Sequence, residues 1–382
     1  MRDTASLLDL VHTQDVIVCV GSGGVGKTSI AAAVAMKAAQ LGRTACVLTI
    51  DPALRLANAM GLQALGNEPA WVDDSRFDAA GLPRPTGRLF AMMLDPKRTW
   101  DDLVRRFAFT PEQARQILAN KYFQQISSAV AGSQDFMAME KLYELHESRA
   151  YDLLVLDTPP TRHALDFLDA PQKLVGFMDD GLLRLLTTPA RMAGFGLGML
   201  TSSTAMMFAV LQRVTGFEVL TDLSDYVTSF AGMHAGFRDR ARAVESRLRS
   251  PRTSFALVAS PNADTVEEAI FLYRRLQTAC MPFGGFIINR LQDSALTTAE
   301  AIEEWSAIRR SPEVLSGEAG VARRLVDNFE DYEVLAAAHA THVTRLRERC
   351  PGPHFWRTVP AFETDVHDLS GLARINAHLF ER

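Results

Sequence analysis

The stretch VIVCVGSGGVGKTS, Val16 to Ser29, decides the fold. Val16-Ile17-Val18-Cys19-Val20 is a short apolar run that reads as a buried strand. Gly21-Ser22-Gly23-Gly24-Val25-Gly26-Lys27-Thr28 follows without a break, and the small residues Ala31 to Ala33 open a helix. A glycine-rich loop between a strand and a helix is built to wrap phosphate groups. Residues lacking a bulky Cβ let backbone N–H groups close on the anion, and the helix presents its positive end to the same charge. Gly23, Gly24, Val25, Gly26 and Ser29 belong to that cradle, Lys27 is expected to reach the β- and γ-phosphates, and Thr28 to place its hydroxyl on Mg²⁺.

Working outward, Ala31 to Leu41 reads as an Ala-rich helix stopped by Gly42, and Thr44 to Ile50 as the next buried strand. A βαβ unit of this kind has a parallel, right-handed crossover. The second strand runs straight into Asp51-Pro52-Ala53. A carboxylate at the carboxyl end of a parallel strand points into the crevice where open α/β sheets bind ligands. Asp51 is thus a candidate to orient or deprotonate the attacking water; an Asp-Pro step also ends strands for purely local reasons. Leu153 to Leu156 is another apolar strand, closing on Asp157, whose carboxylate suits the water shell of Mg²⁺. The loop Thr158-Pro159-Pro160-Thr161-Arg162-His163 comes next, a stiff segment placed to sense the γ-phosphate.

Elsewhere the pattern is plainer. Residues 66 to 87 read as loop, Leu89 to Leu94 as a strand, and Lys97 to Glu147 as helical. Phe255 to Ala259 and Gly285 to Ile288 read as strands joined by an amphipathic helix from Asp264 to Thr278. Asp293 to Arg349 reads as mostly charged helix with solvated faces, Thr358 to Pro360 as a last strand and Leu369 to Leu379 as a last helix.

At 382 residues the chain has room for a substantial core, and 47% hydrophobic with 22% charged residues fits an ordinary soluble protein. A net charge of −5 gives no reason to expect nucleic acid as a partner. The four cysteines, Cys19, Cys46, Cys280 and Cys350, form no CxxC pair, and Cys19 and Cys46 fall in buried strands, a pattern suited to a reducing cytoplasm. The first residues carry Asp3 and Asp9 and no long apolar run, so no signal peptide is expected.

The runs GSGGVGKTS, TIDPA, VLDTPPTRHALDFLDAP and IINRL resemble the ArsA-type ATPases, the family of the arsenical-pump ATPase and of the ATPase that targets tail-anchored membrane proteins. The likeness extends weakly over LDPKRTWDDL and AGSQDFMAMEKL. It implies an α/β fold, a doubly wound, mostly parallel sheet forming one ATPase domain over 1–382, with a helical subdomain inserted at 97–147 and 171–250. It further implies Mg²⁺-dependent ATP hydrolysis, a dimer with nucleotide sites near its interface, Asp51 in water activation, Asp157 in the metal shell, and Thr161 to His163 in a switch. Asn289 would lie against adenine, with Pro360 as the other wall.

The chain departs from that family in three places. Ser22 stands where the family's usual loop has a lysine that reaches the partner's nucleotide, and a serine has neither its charge nor its reach. Leu54 and Arg55 replace commonly polar residues after Asp51-Pro52-Ala53. Neither a zinc-binding CxxC nor the clustered cysteines of an arsenite site is present, so zinc is not expected and an arsenite-pump role is disfavoured. One phosphate loop, against two in the fused arsenical pumps, points to assembly from separate chains, as a homodimer or with a related chain.

Met192 to Gln212 carries no charge, and Met178, Met192, Met199, Met206, Met207 and Met233 concentrate around it. Three readings stand: an adaptable groove for a hydrophobic protein client or a membrane-protein partner, an ordinary core or subunit interface, or a membrane-inserted segment.

Overall fold

The computed structural model of the chain describes residues 6–51, 55–119, 133–159, 234–311 and 320–381. The chain divides into two compact units. The first comprises Met1–Met93, Arg149–Ala164 and Ser250–Arg382; the second comprises Leu94–Ser148 and Leu165–Arg249.

In the first unit α1 (Leu7–Thr13) is started by a capping box, Ser6 and Asp9 satisfying each other's backbone N–H. Then come β1 (Val16–Val20), α2 (Lys27–Gln40), β2 (Thr44–Thr49), α3 (Arg55–Ala59), β3 (Ala70–Trp71), α4 (Asp74–Ala79) and β4 (Arg88–Met93). The second unit contributes α5 (Pro96–Phe107), α6 (Pro111–Ala119) and α7 (Ser133–Glu147). β5 (Leu153–Asp157) returns to the first unit, α8 (His234–Leu248) belongs to the second, and the chain closes the first with β6 (Thr253–Ala259), α9 (Ala263–Thr278), β7 (Phe283–Leu291), α10 (Ala299–Arg309), α11 (Gly320–Arg349), β8 (Phe355–Pro360) and α12 (Leu369–Phe380).

The strands form one sheet in the order β3-β4-β2-β5-β1-β6-β7-β8. Every pairing is parallel except β3 with β4. Successive units leave β1 in opposite directions, toward β5 and β2 on one side and β6 and β7 on the other. β1 therefore marks the topological switch point, and the crevice at its carboxyl end is the place for a ligand. β1, β5 and β6 are buried along their whole length, as a sheet covered on both faces requires.

The alanines of α2 explain how close that helix lies to the sheet. Ala31, Ala32, Ala33, Ala35, Ala38 and Ala39 are fully buried, with Ile30, Val34 and Met36 filling the gaps between them. Burying each of those three larger side chains contributes roughly 1.5–3 kcal/mol. α12 packs on α2 through Leu372, Ile375 and Leu379, and Asp368 starts it by accepting the Gly371 N–H at 2.7 Å.

The strand expectations hold to within a few residues, and three corrections come from local structure. The helix after the phosphate loop starts at Lys27 rather than Ala31, which puts Lys27 and Thr28 in its first turn. The stretch read as loop at 66 to 87 contains β3 and α4; β3 is only two residues long, and α4 is capped by Asp73, both below the reach of a periodicity reading. α1 was not anticipated in the polar N-terminal stretch.

In the second unit Glu140 on α7 is 2% exposed and accepts from Arg240 Nε at 2.7 and 2.8 Å, with Arg240 Nη2 at 2.6 Å from its Oε1. Burial pushes the Glu140 carboxyl up from its ordinary range while the guanidinium opposes that shift. Arg240 also lies over the Tyr143 ring, 4.1 Å from its centre. A groove of about 520 Å³ runs past Phe109, Pro111, Ala114 and Leu118 between Arg105 and Arg115. Residues 192–212 lie outside the described residues. Among the described residues no helix is long and apolar enough to cross a membrane.

Candidate functional site

A cavity of about 830 Å³ opens at the carboxyl edge of the sheet in the first unit. Side chains or backbone from the ends of five parallel strands line it: Gly23, Gly24, Gly26, Lys27, Thr28 and Ser29 after β1, Asp51 after β2, Asp157 from β5, Asn289 from β7 and Pro360 from β8. The sequence-derived candidates thus meet in one place, apart from Val25, which faces inward at 1% exposure. Thr161 and His163 lie outside the described residues.

Two glycines of the loop are required by contact. Gly21 has φ +154°, and a Cβ there would sit 2.1 Å from the Val258 carbonyl oxygen of the neighbouring strand. At Gly26, φ is +87° and a Cβ would stand 2.3 Å from Asn289 Nδ2. That amide donates to the Val25 carbonyl at 2.8 Å in a buried contact. Asn289 therefore clamps the phosphate loop from β7, a role the sequence reading did not assign; it is positioned by a shift in the β7–β8 ladder between Ile288 and Leu291. Gly26→Ala is accordingly expected to weaken nucleotide binding at least about tenfold and to cost roughly 1–3 kcal/mol of stability, from left-handed strain plus the clash. Calorimetric titration and thermal melting check this. Adding Asn289→Ala removes the clashing amide, so the double variant should lose less than the sum of the two.

Lys27 is buried at 5% exposure and donates to the Ser22 carbonyl at 2.7 Å. Burial pulls its ammonium below the ordinary lysine range, with Asp157, Cys19 and Asp51 pulling it back up. Thr28 Oγ1 donates to Asp157 Oδ2 at 2.6 Å, and Thr49 Oγ1 donates to the same oxygen at 2.8 Å. Thr49 also accepts the Asp51 N–H at 3.2 Å, so one hydroxyl ties the ends of β2 and β5 together. Sequence reading missed Thr49, the last residue of β2, whose only sequence signal is its place two residues before Asp51, a spacing with nothing distinctive about it. Thr158 Oγ1 donates to the Cys19 carbonyl at 2.8 Å and fixes the start of the following loop to β1.

Asp157 is almost completely buried, which pushes its carboxyl up to about 6 against the pull of Thr28, Thr49 and Lys27. Its Oδ1 is buried without a hydrogen-bond partner. A hard oxygen with an unused lone pair, beside the Thr28 hydroxyl and the phosphate loop, fits Mg²⁺ chemistry, which draws the rest of its shell from water and phosphate oxygens. The wall of the cavity also includes Pro360, Phe362, Val366 and Ile375, with Arg290 and the loop through His367. Burial pushes the Cys19 and Cys46 thiols far up, so both are inert core groups.

Comparison with known proteins agrees with this geometry. Residues 14–314 match the family model described as anion-transporting ATPase. A Halobacterium salinarum protein whose name carries the words arsenical pump-driving ATPase is 35% identical over 44% of this chain and 26% of its own length. ATPase GET3 of Malassezia globosa is 30% identical over 41% of this chain and 43% of its own. An ATPase ASNA1 homolog of Cryptosporidium parvum is 25% identical over 71% of this chain and 63% of its own. Each match thus spans less than two thirds of the relative. With the family model covering most of its length, and the phosphate loop, Asp51 and Asp157 gathered at the switch point of a parallel sheet, the chain belongs to the ArsA-type family of anion-transporting ATPases.

Proposed function

We propose that this chain hydrolyses ATP in a Mg²⁺-dependent reaction and uses the change of nucleotide state to reshape its helical unit. The observation that carries the reading is the convergence of Lys27, Thr28, Asp51 and Asp157 in one cavity, with the Thr49 hydroxyl bridging two of their strands. Loop N–H groups and the start of α2 hold the phosphates, and Lys27 turns from the Ser22 carbonyl toward the β- and γ-phosphate oxygens. Thr28, and Asp157 through water, would hold Mg²⁺, which when bound would supply positive charge to the phosphates. Asp51 orients a water and takes its proton as the water oxygen attacks the γ-phosphorus; the bond to the β-phosphate breaks and ADP leaves. Because Thr49 contacts both Asp157 and the Asp51 backbone, a change at the metal end is felt at the base.

The inserted helical subdomain is the natural receiver of that signal, and the sequence resemblance makes its client a hydrophobic protein segment. Phe109, 76% exposed beside the groove of the second unit, is an apolar surface of the right kind. The acting form is a dimer in the cytoplasm, with a second copy or a related chain as partner and apolar residues 192–212 serving as client groove or interface.

Phosphate release tests the reading: turnover should require Mg²⁺, and Asp51→Asn should retain nucleotide binding while slowing hydrolysis about 10²–10⁴-fold. Unchanged turnover would remove Asp51 from catalysis. A second reading is a nucleotide-sensing scaffold or holdase with little hydrolysis. It is favoured by the buried, uncharged Ser22 and by the engagement of Lys27 with the loop's own carbonyl. Tight ATP binding with no phosphate release over hours would select it.

A further inference from the structure

We propose that Arg55 supplies, from within the same chain, the cation that grips the terminal phosphate. The inference rests on the nucleotide reading above and adds a residue to it.

Arg55 opens α3 and lines the cavity with Lys27, Thr28 and Asp51. Its Nη1 lies 3.7 Å from Asp51 Oδ2, and its side chain is 71% exposed against 20% for Asp51. An exposed pair at that separation is weak, so the guanidinium can exchange its partner at little cost. Its place follows from that pairing: Asp51 comes just after β2, where its backbone N–H donates to the Thr49 hydroxyl that also holds Asp157.

Charge balance argues the same way. A nucleoside triphosphate brings close to four negative charges, and Asp51 and Asp157 face the same space. Lys27 is buried, and Ser22, 6% exposed, contributes no charge. Two arginines line the cavity among the described residues: Arg290 follows Asn289 in β7, and Arg55 is the one that lies against Asp51. A planar guanidinium donates two parallel hydrogen bonds to phosphate oxygens. Without nucleotide Arg55 rests near Asp51; with a triphosphate it transfers to the γ-phosphate and leaves the carboxylate to the water. A diphosphate offers no such partner, so the residue confers preference for ATP over ADP.

The test is calorimetric titration of the full chain with Mg²⁺ and either a nonhydrolysable ATP analogue or ADP, for wild type, Arg55→Gln and Arg55→Lys. Arg55→Gln should lose about 10- to 100-fold in analogue affinity with ADP affinity changed less than about threefold, and Arg55→Lys should recover part of the loss. Turnover of Arg55→Gln should fall about 10³-fold, the lower end for such an arginine, with an unchanged melting temperature. Equal losses for both nucleotides, or none for the analogue, overturn the assignment. Mixing Arg55→Gln with Lys27→Ala chains separates the source: recovered turnover means that the cation crosses between chains and refutes the same-chain role. Wild type that binds neither nucleotide defeats the nucleotide reading itself, and Arg55 with it.

Discussion

Lys27→Ala is expected to lower turnover at least about 10³-fold and to weaken triphosphate binding by one to two orders of magnitude. The fold should survive. The position lies in the first turn of an alanine-rich helix, where Ala is a favourable residue, and removing a buried ammonium relieves the desolvation that pulls its pKa down. Against that gain stands the Ser22 carbonyl, left without its 2.7 Å donor, at roughly 1–3 kcal/mol. Titration with a fluorescent nucleotide and a phosphate-release assay read the loss, and far-UV circular dichroism reads the fold. Wild-type turnover in a folded variant would remove the phosphate loop from the chemistry.

Asp157→Asn has two opposed effects. Turnover should fall about 10³-fold, because a neutral amide holds Mg²⁺ poorly. The ligand-free chain, however, should become more stable at pH 7.5. Burial raises the Asp157 carboxyl from 3.8 to about 6, so the folded state favours the protonated form. A shift of that sign contributes stability that is fully present below the unfolded value of 3.8 and is lost as pH rises through about 6. Above pH 7 the chain holds a buried carboxylate at a cost on the order of 3 kcal/mol, which the amide removes. Thermal melting without nucleotide should show a gain of several degrees at pH 7.5, shrinking toward nothing near pH 4. Equal melting temperatures for variant and wild type at pH 7.5 would mean that the buried charge carries no such cost.

Much of the site was legible because its residues sit in local patterns. Val16 to Ser29 combines a run of apolar residues, the loop glycines and the helix start, and each has a meaning set by the nearest few residues. Asp51 and Asp157 were found because each ends an apolar run, and a strand end in a parallel sheet has a defined direction. Thr49 was not recognised, and Arg55 was noted only as a departure from the family in the switch after Asp51. A hydroxyl between two strand ends and an arginine one turn beyond a carboxylate have no distinctive spacing. Asn289 was identified as a site residue through the resemblance; its hydrogen bond to the Val25 carbonyl, which joins residues 264 apart in sequence, was not, because no local pattern carries such a pair.

The sequence by itself determined the class of fold, the identity of the phosphate loop and most strand positions, since backbone propensity, apolar runs and glycine punctuation act over a few residues. Tertiary structure alone decided the strand order about β1, the assembly of five strand ends into one cavity, the clamp of Asn289 on the loop and the raised carboxyl of Asp157. Those properties depend on which distant segments become neighbours and on how far each group is withdrawn from water. Both are set by packing the whole sheet against its helices.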